Sequence, residues 1–283
     1  MPSDVAASDI NGDDQTDRVY VGDLGGQLWR FDTLNFNNTA AWTNSGKVIF
    51  KSNQSSSEKR KIFYPPDVSL ESGYEWVYLG TGDRENPKQE TGTGTFPTQN
   101  RLYAIKDKNP SAALTETSLV DVTDDILQKP NPTPGEITTQ TQTLNGLKNK
   151  DGWFITLENN GEKCLASAVI FSGVVYYTTF TPDFAVVGDI CSLKEGTGRV
   201  YALQSGSGMA AFNLDLNNDT DGQPPTIYKT DRSMSIGGGI PSQVVVAVIK
   251  GDLVGYIGIG GGVFSPELGS KKNILPLYWR TVF

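Results

Sequence analysis

The chain has 283 residues, a formal net charge of −8, two cysteines and no histidine. Its acidity argues against a nucleic-acid footprint and against a polybasic membrane contact. Without histidine there is no Ser-His-Asp or Cys-His dyad, and the commonest transition-metal ligand is absent.

The first informative stretch is residues 8–32, SDINGDDQTDRVYVGDLGGQLWRFD. Asp9, Asn11, Asp13 and Asp17 fall at positions 1, 3, 5 and 9 of a loop, with Gln15 at position 7, where an EF-hand ligates through the backbone carbonyl. Calcium takes about six to eight oxygen ligands, and this set is all oxygen. Position 12 is Tyr20 rather than a bidentate Glu, and a strand follows rather than a helix. The expected element is therefore an EF-like calcium loop inside a β protein, with Ca2+ held by Asp9, Asn11, Asp13, Asp17 and the Gln15 carbonyl. The plain alternative is a solvated turn, since Asp, Asn and Gly favour turns in any case. After the loop, Tyr20 and Val21 lie in one strand, Gly22 to Gly26 make a turn, and Leu28 to Phe31 form a second strand.

Further along, residues 51–61 are polar and basic, and residues 84–99 read as a long Thr/Gly/Pro loop. Ser118–Lys129 is the best helix candidate, with Leu119, Val122, Ile126 and Leu127 near helical spacing and Pro130 as the stop. Residues 129–150 are rich in Thr, Gln and Pro and poor in apolar residues, so they read as a flexible surface excursion. No apolar run is long enough for a transmembrane helix. Met1 to Asp4 lack the basic and apolar segments of a secretory signal, so an exported form of this chain is expected to be a mature fragment.

A repeat runs through the chain. Its first part is an aromatic strand ending in small residues: VYVGD at 19–23, VYLGTGD at 77–83, VVYYTTF at 174–180 and VGYIGIGG at 254–261. Its second part is QLWRF at 27–31, RLYAI at 101–105, RVYAL at 199–203 and, less closely, LYWRTV at 277–282. Each pair reads as two adjacent strands of a propeller blade, often followed by Asp, as at Asp32 and Asp107. The expected fold is all-β: a propeller with about four recognisable blades and long loop insertions. A second acidic loop holds Asp215, Asn217, Asp219 and Asp221, and it is either a second calcium site or a turn between blades. Asp83 and Arg84 read as turn-capping and pairing residues, with a ligand role in a propeller mouth as the alternative. Trp29, Trp76, Trp153 and Trp279 read as core or blade-interface residues, and Trp42 as more exposed.

The run at 8–32 resembles the signature of the PilC/PilY family of type IV pilus biogenesis proteins, in their C-terminal β-propeller domain. GTGDRENP at 80–87, NRLYAIKD at 100–107, DGWFITL at 151–157, GEK at 161–163, VVYYTTFTP at 174–182, GTGRVYAL at 196–203 and LYWRTVF at 277–283 follow in the family's order. The resemblance implies that residues 1–283 are the C-terminal portion of such a propeller, and that another chain can complete it. It implies a non-enzymatic, exported protein at the cell surface, associated with the pilus. Calcium on the acidic loop would modulate pilus extension against retraction, and with it twitching motility. The implied partners are minor pilins at the pilus tip and a host surface receptor, with no nucleic acid and no membrane span. An extracytoplasmic family also favours a Cys164–Cys191 disulfide over two buried free thiols. The competing class is a propeller enzyme of the quinoprotein type, against which stands the lack of adjacent cysteines.

Overall fold

The computed structural model describes residues 3–33, 46–53, 60–87, 96–183, 195–219, 226–249 and 252–266. β1 (Ala6–Ser8), β2 (Arg18–Gly22), β3 (Gln27–Asp32) and β4 (Gly46–Lys51) form an antiparallel meander. β5 (Asp67–Glu71), β6 (Tyr74–Gly80) and β7 (Arg101–Asp107) begin a second sheet. The chain then makes an excursion. β8 (Leu114–Thr115) joins the first sheet in parallel beside β4, and β9 (Val120–Asp121) runs parallel to β10 (Gly152–Thr156), which pairs with β7. A helix, α1 (Pro134–Asn149), lies between β9 and β10.

The third sheet contains β11 (Lys163–Cys164) and β12 (Val169–Phe171), both paired with β13 (Val174–Thr181), followed by β14 (Thr197–Gln204) and β15 (Ser233–Gly238). β16 (Val245–Ile249), β17 (Asp252–Ile259) and β18 (Gly262–Phe264) form a fourth, three-stranded sheet. The sequence repeat maps directly onto this order. Its first part supplies β2, β6, β13 and β17, and its second part supplies β3, β7 and β14. LYWRTV, with Trp279, lies outside the described residues, as does Trp42.

Successive sheets stack face to face, which is why these strands are apolar at nearly every position rather than at every second one. On β6, Val77 and Leu79 enter a core shared with Tyr20, Leu28, Ile49 and Phe50 of the first sheet. Their neighbours Trp76 and Tyr78 point the other way, into a core with Val175, Tyr177, Tyr201 and Leu203 of the third. Tyr176, Val200 and Ala202 turn from the third sheet towards Val244 and Ile257 at the fourth. The period of two along a strand thus distributes side chains between two interfaces. The arrangement is propeller-like, but no closed ring is seen among the described residues.

The glycines that end β2 and β6 have a steric cause. A Cβ on Gly22 would lie 2.1 Å from Ile62 Cγ2, and one on Gly80 would lie 2.4 Å from the Cys164 Sγ. At both places the chain entering the next sheet crosses the strand end. The Ile62 N–H donates to the Asp23 carbonyl at 3.1 Å, and the Cys164 N–H to the Thr81 carbonyl at 3.0 Å.

Two expectations are corrected. The fold is not all-β, because residues 134–149 of the presumed flexible excursion form a helix. Pro134 occupies its first turn, where a missing N–H costs nothing, and Thr133 with Glu136 makes a capping box. At its other end, the buried Lys106 ammonium donates to the Leu147 and Lys150 carbonyls. Conversely, the helix expected over Ser118–Lys129 is absent. Val120 and Asp121 form β9 instead, and Ile126–Gln128 is a single 3-10 turn. Leu119, Val120 and Val122 are buried against β7 and β10 neighbours, so covering the second sheet outweighs their helical spacing. Cys164 is a buried free thiol whose ionisation is pushed up to about 12 by burial. Its expected disulfide partner, Cys191, lies outside the described residues.

Candidate metal loop and its anchor

The acidic loop is the connection of a hairpin, between β1 and β2, an arrangement that sequence alone did not show because Ala6–Ser8 carries no strand signal. The Asp17 N–H donates to the Ser8 carbonyl at 2.9 Å and closes the loop at its base. Asp17 is buried, Asp9 is half-buried, and Asn11, Asp13 and Gln15 are exposed. The side chains of Asp9, Asn11, Asp13 and Asp17 turn towards N–H groups of the same loop. Asp9 accepts from Asn11 at 3.2 Å, Gly12 at 2.7 Å and Asp14 at 2.8 Å. Asn11 accepts from the Asp13 N–H and Asp13 from the Gln15 N–H, both at 2.9 Å. Asp17 accepts the N–H groups of Ile10 at 2.9 Å and Asn11 at 3.3 Å.

The winding needs two residues with positive φ: Gly12 at 77° and Asp14 at 65°. Asp14 is at position 6, where an EF-hand uses Gly for its sharp turn. The Asp9 carboxyl is held below its usual range. Desolvation, the largest single cause, pushes it up, but the N–H groups of Gly12, Asp14, Asn11 and Asp13 together pull it down further. The donor set, three carboxylates with an amide and a backbone carbonyl, suits a hard cation. Among the described residues, no group of three or more Asp, Glu, Cys or His side chains stands together as a metal centre. The carboxylates engage the loop's own backbone, each keeping lone pairs to spare.

Behind the loop lies a buried charge network that sequence reasoning missed. The Ser8 hydroxyl donates to Glu75 Oε1 at 2.8 Å, and the Arg18 guanidinium donates to Glu75 Oε2. Glu75, 2% exposed on β6, therefore holds residues at both ends of the loop. Tyr20 places its hydroxyl between two carboxylates, 2.7 Å from Glu75 and 2.9 Å from Asp107. Burial, and then these two negative charges, push its ionisation well up. Arg30 donates to both oxygens of Asp107 and to Asp32. The Asp that ends two of the second strands of the repeat, Asp32 and Asp107, was the one signal in the sequence that pointed here.

The other candidate residues disperse. Asp83 accepts the N–H groups of Glu85 and Asn86 and pairs with Lys61 at 2.8 Å, a turn cap as expected, and Arg84 is exposed. In the second acidic loop, Asp215 accepts from Asn217, and both oxygens of Asp219 accept from the Asn213 amide at 3.0 and 2.8 Å. Asp221 lies outside the described residues. Trp76 and Trp153 are buried between sheets, and Trp29 is half-buried with its N–H on Asp23 at 2.8 Å.

No family model matches the chain. It is 25% identical over 261 residues, 85% of its length, to a protein of Xylella fastidiosa described as "Type IV pilus biogenesis factor PilY1 homolog". A second Xylella fastidiosa protein of the same description is 26% identical over 218 residues, 71% of the chain. The chain spans 16% of the length of each of these relatives. Among solved structures, the Pseudomonas aeruginosa PilY1 C-terminal domain superposes with a TM-score of 0.58 at 17% identity, covering 92% of this chain and 59% of that one. A europium-containing methanol dehydrogenase reaches a TM-score of 0.40 at 14% identity. The sequence similarity to the pilus biogenesis factors is distant but consistent, and the fold is related to that of the PilY1 C-terminal domain.

Proposed function

We propose that this chain is a calcium-responsive, non-enzymatic module of a pilus-associated surface protein. One observation carries the calcium reading: the acidic loop is wound by Gly12 and Asp14 and held at both ends by the buried Glu75. Asp9, Asn11, Asp13 and Asp17 with the Gln15 carbonyl would hold the ion. Calcium supplies positive charge that offsets repulsion among the three carboxylates, which is about 1 kcal/mol or more per close pair. The chain's own residues do the rest. Asp17 fixes the start of the loop through Ile10 and Asn11, and Glu75 ties loop conformation to the interface between the first two sheets.

The curated relatives are biogenesis factors, which supports a pilus-associated role over that of a propeller enzyme. In that role the module acts outside the cytoplasm, with minor pilins and a host surface receptor as its partners, and calcium occupancy biases pilus extension against retraction. Calcium-titration calorimetry tests the metal. One site is expected, with magnesium a poor competitor because it demands near-octahedral geometry and dehydrates reluctantly. Asp9→Ala should weaken binding at least tenfold and leave the β-sheet circular dichroism unchanged. Undiminished calcium binding by that variant would show that the loop is not the site.

A further inference from the structure

Between the second and third sheets lies a cleft of about 740 Å³. One wall is the end of β10, at Ile155 and Thr156, and the other is β14 and β15. Its charged groups are unevenly matched. Lys229 is paired with Glu158 at 2.7 Å, and the buried Arg232 faces Asp125 at 3.2 Å while donating to the Thr123 carbonyl at 2.9 Å. Arg199 differs. It is half-buried, its Nη2 donates to the Ser233 hydroxyl at 2.9 Å, and no carboxylate pairs with it among the described residues; its Nε, like the Nε and Nη2 of Arg232, has no hydrogen-bond partner there. Asp215, from the second acidic loop, also lines the cleft, and its Oδ1 accepts from the Asn217 N–H and side-chain amide.

We propose that this cleft binds a small polyhydroxylated carboxylate, of the chemical class of a uronic acid, with Arg199 as the carboxylate anchor. A guanidinium presents planar donors matched to a carboxylate, and such charge-assisted bonds are about twice as strong as neutral ones. The remaining lining suits hydroxyl groups: Thr156 and Ser235 present hydroxyls, Thr230 keeps its hydroxyl proton to donate while accepting from Asn218, and Asn159 keeps its carbonyl oxygen to accept while its amide donates to Glu162. Ile155, Leu214 and Met234 provide apolar surface for a ring face. The volume lies within the range of about 300–1,000 Å³ usual for small-ligand pockets. An acidic peptide shares the carboxylate but lacks the ring hydroxyls that this lining would engage.

The test is a titration of the whole chain with glucuronate, using glucose as the neutral control, in EDTA. Without calcium present, the result is independent of the acidic loop. Glucuronate is expected to bind at millimolar or tighter affinity, with glucose at least tenfold weaker. Arg199→Gln, at a half-buried residue with one side-chain bond, should fold normally and lose at least tenfold in glucuronate affinity, with partial recovery in Arg199→Lys. Failure of glucuronate to bind, equal binding of glucose, or unchanged affinity in Arg199→Gln would each overturn the proposal. So would tighter binding of a tetraglutamate peptide in competition for the cleft, which would assign it to a protein partner.

Discussion

Arg30 reaches from the first sheet into the second and grips both oxygens of Asp107, at 2.9 and 2.8 Å. Both residues are all but fully buried, at 2% and 1% exposure. Burial alone would raise the Asp107 carboxyl, but Arg30, with help from Tyr20 and the Asn109 N–H, holds it below its usual range. Removing one partner leaves a charge buried alone, which costs about 3–5 kcal/mol. Arg30→Met should therefore lower unfolding free energy by about that amount in urea denaturation. Combining it with Asp107→Leu should cost less than the sum of the two single changes. Because the native carboxyl is depressed, its contribution is present above the ordinary carboxylate range and is lost as pH falls through the native value. The stability gap between wild type and the double variant should narrow in acid.

Gly80 makes a second prediction about how the sheets meet. An alanine Cβ there would lie 2.4 Å from both Cβ and Sγ of Cys164, which is itself buried. Overpacking of this kind costs about 1–3 kcal/mol. Gly80→Ala should lower the unfolding midpoint accordingly, and combining it with Cys164→Gly, which removes both clashing atoms, should cost less than the sum of the two single changes. Additive effects of the two changes would show that the crossing is looser than the structure has it.

The strands were legible because aromatic and β-branched residues recur in paired segments, and β2, β3, β6, β7, β13, β14 and β17 all fall on them. The excursion between β7 and β10 was misread in both halves. Val120 and Val122 have helical neighbours in sequence but a sheet edge beside them in space. Residues 134–149 lack an apolar stripe, with Leu147 the one buried residue, so their helix is specified by its cap rather than by periodicity. The acidic loop was visible from its spacing. Its anchor was not, because Glu75 and Asp107 come from a different sheet, and no local pattern links residue 8 to residue 75.

Asp14 tests the winding of the loop separately from its donor oxygens. It adopts φ 65°, a conformation that Asp tolerates and that β-branched residues strongly resist. Asp14→Gly should keep calcium affinity within about threefold of wild type, since glycine enters this region freely. Asp14→Val should cost about 1–2 kcal/mol of stability and weaken calcium binding, although no proposed ligand is removed. Equal calcium affinity in the Gly and Val variants would mean that the left-handed turn is not needed for the site.

The cap of α1 gives a prediction in acid. Glu136 is bonded by the Lys129 ammonium, by the Thr133 N–H at 2.8 Å and by the Thr133 hydroxyl at 2.9 Å. These contacts, Lys129 first, hold its carboxyl at about 2, below the ordinary 4.5. A depressed carboxyl stabilises the folded form above its unfolded value, and that contribution is lost as pH falls from about 4.5 to about 2. The effect should be local, since α1 buries only Leu147. Glu136→Gln keeps an oxygen acceptor for the Thr133 N–H but removes the charge. At pH 6, the first-turn amides of α1 in Glu136→Gln should exchange faster than in the wild type, after correction for intrinsic rates. As pH is lowered towards 2, the wild type should lose its advantage and the two proteins should converge. A difference in protection that stays constant from pH 6 to pH 2 would show that Glu136 acts through shape alone and that its charge contributes nothing to the cap.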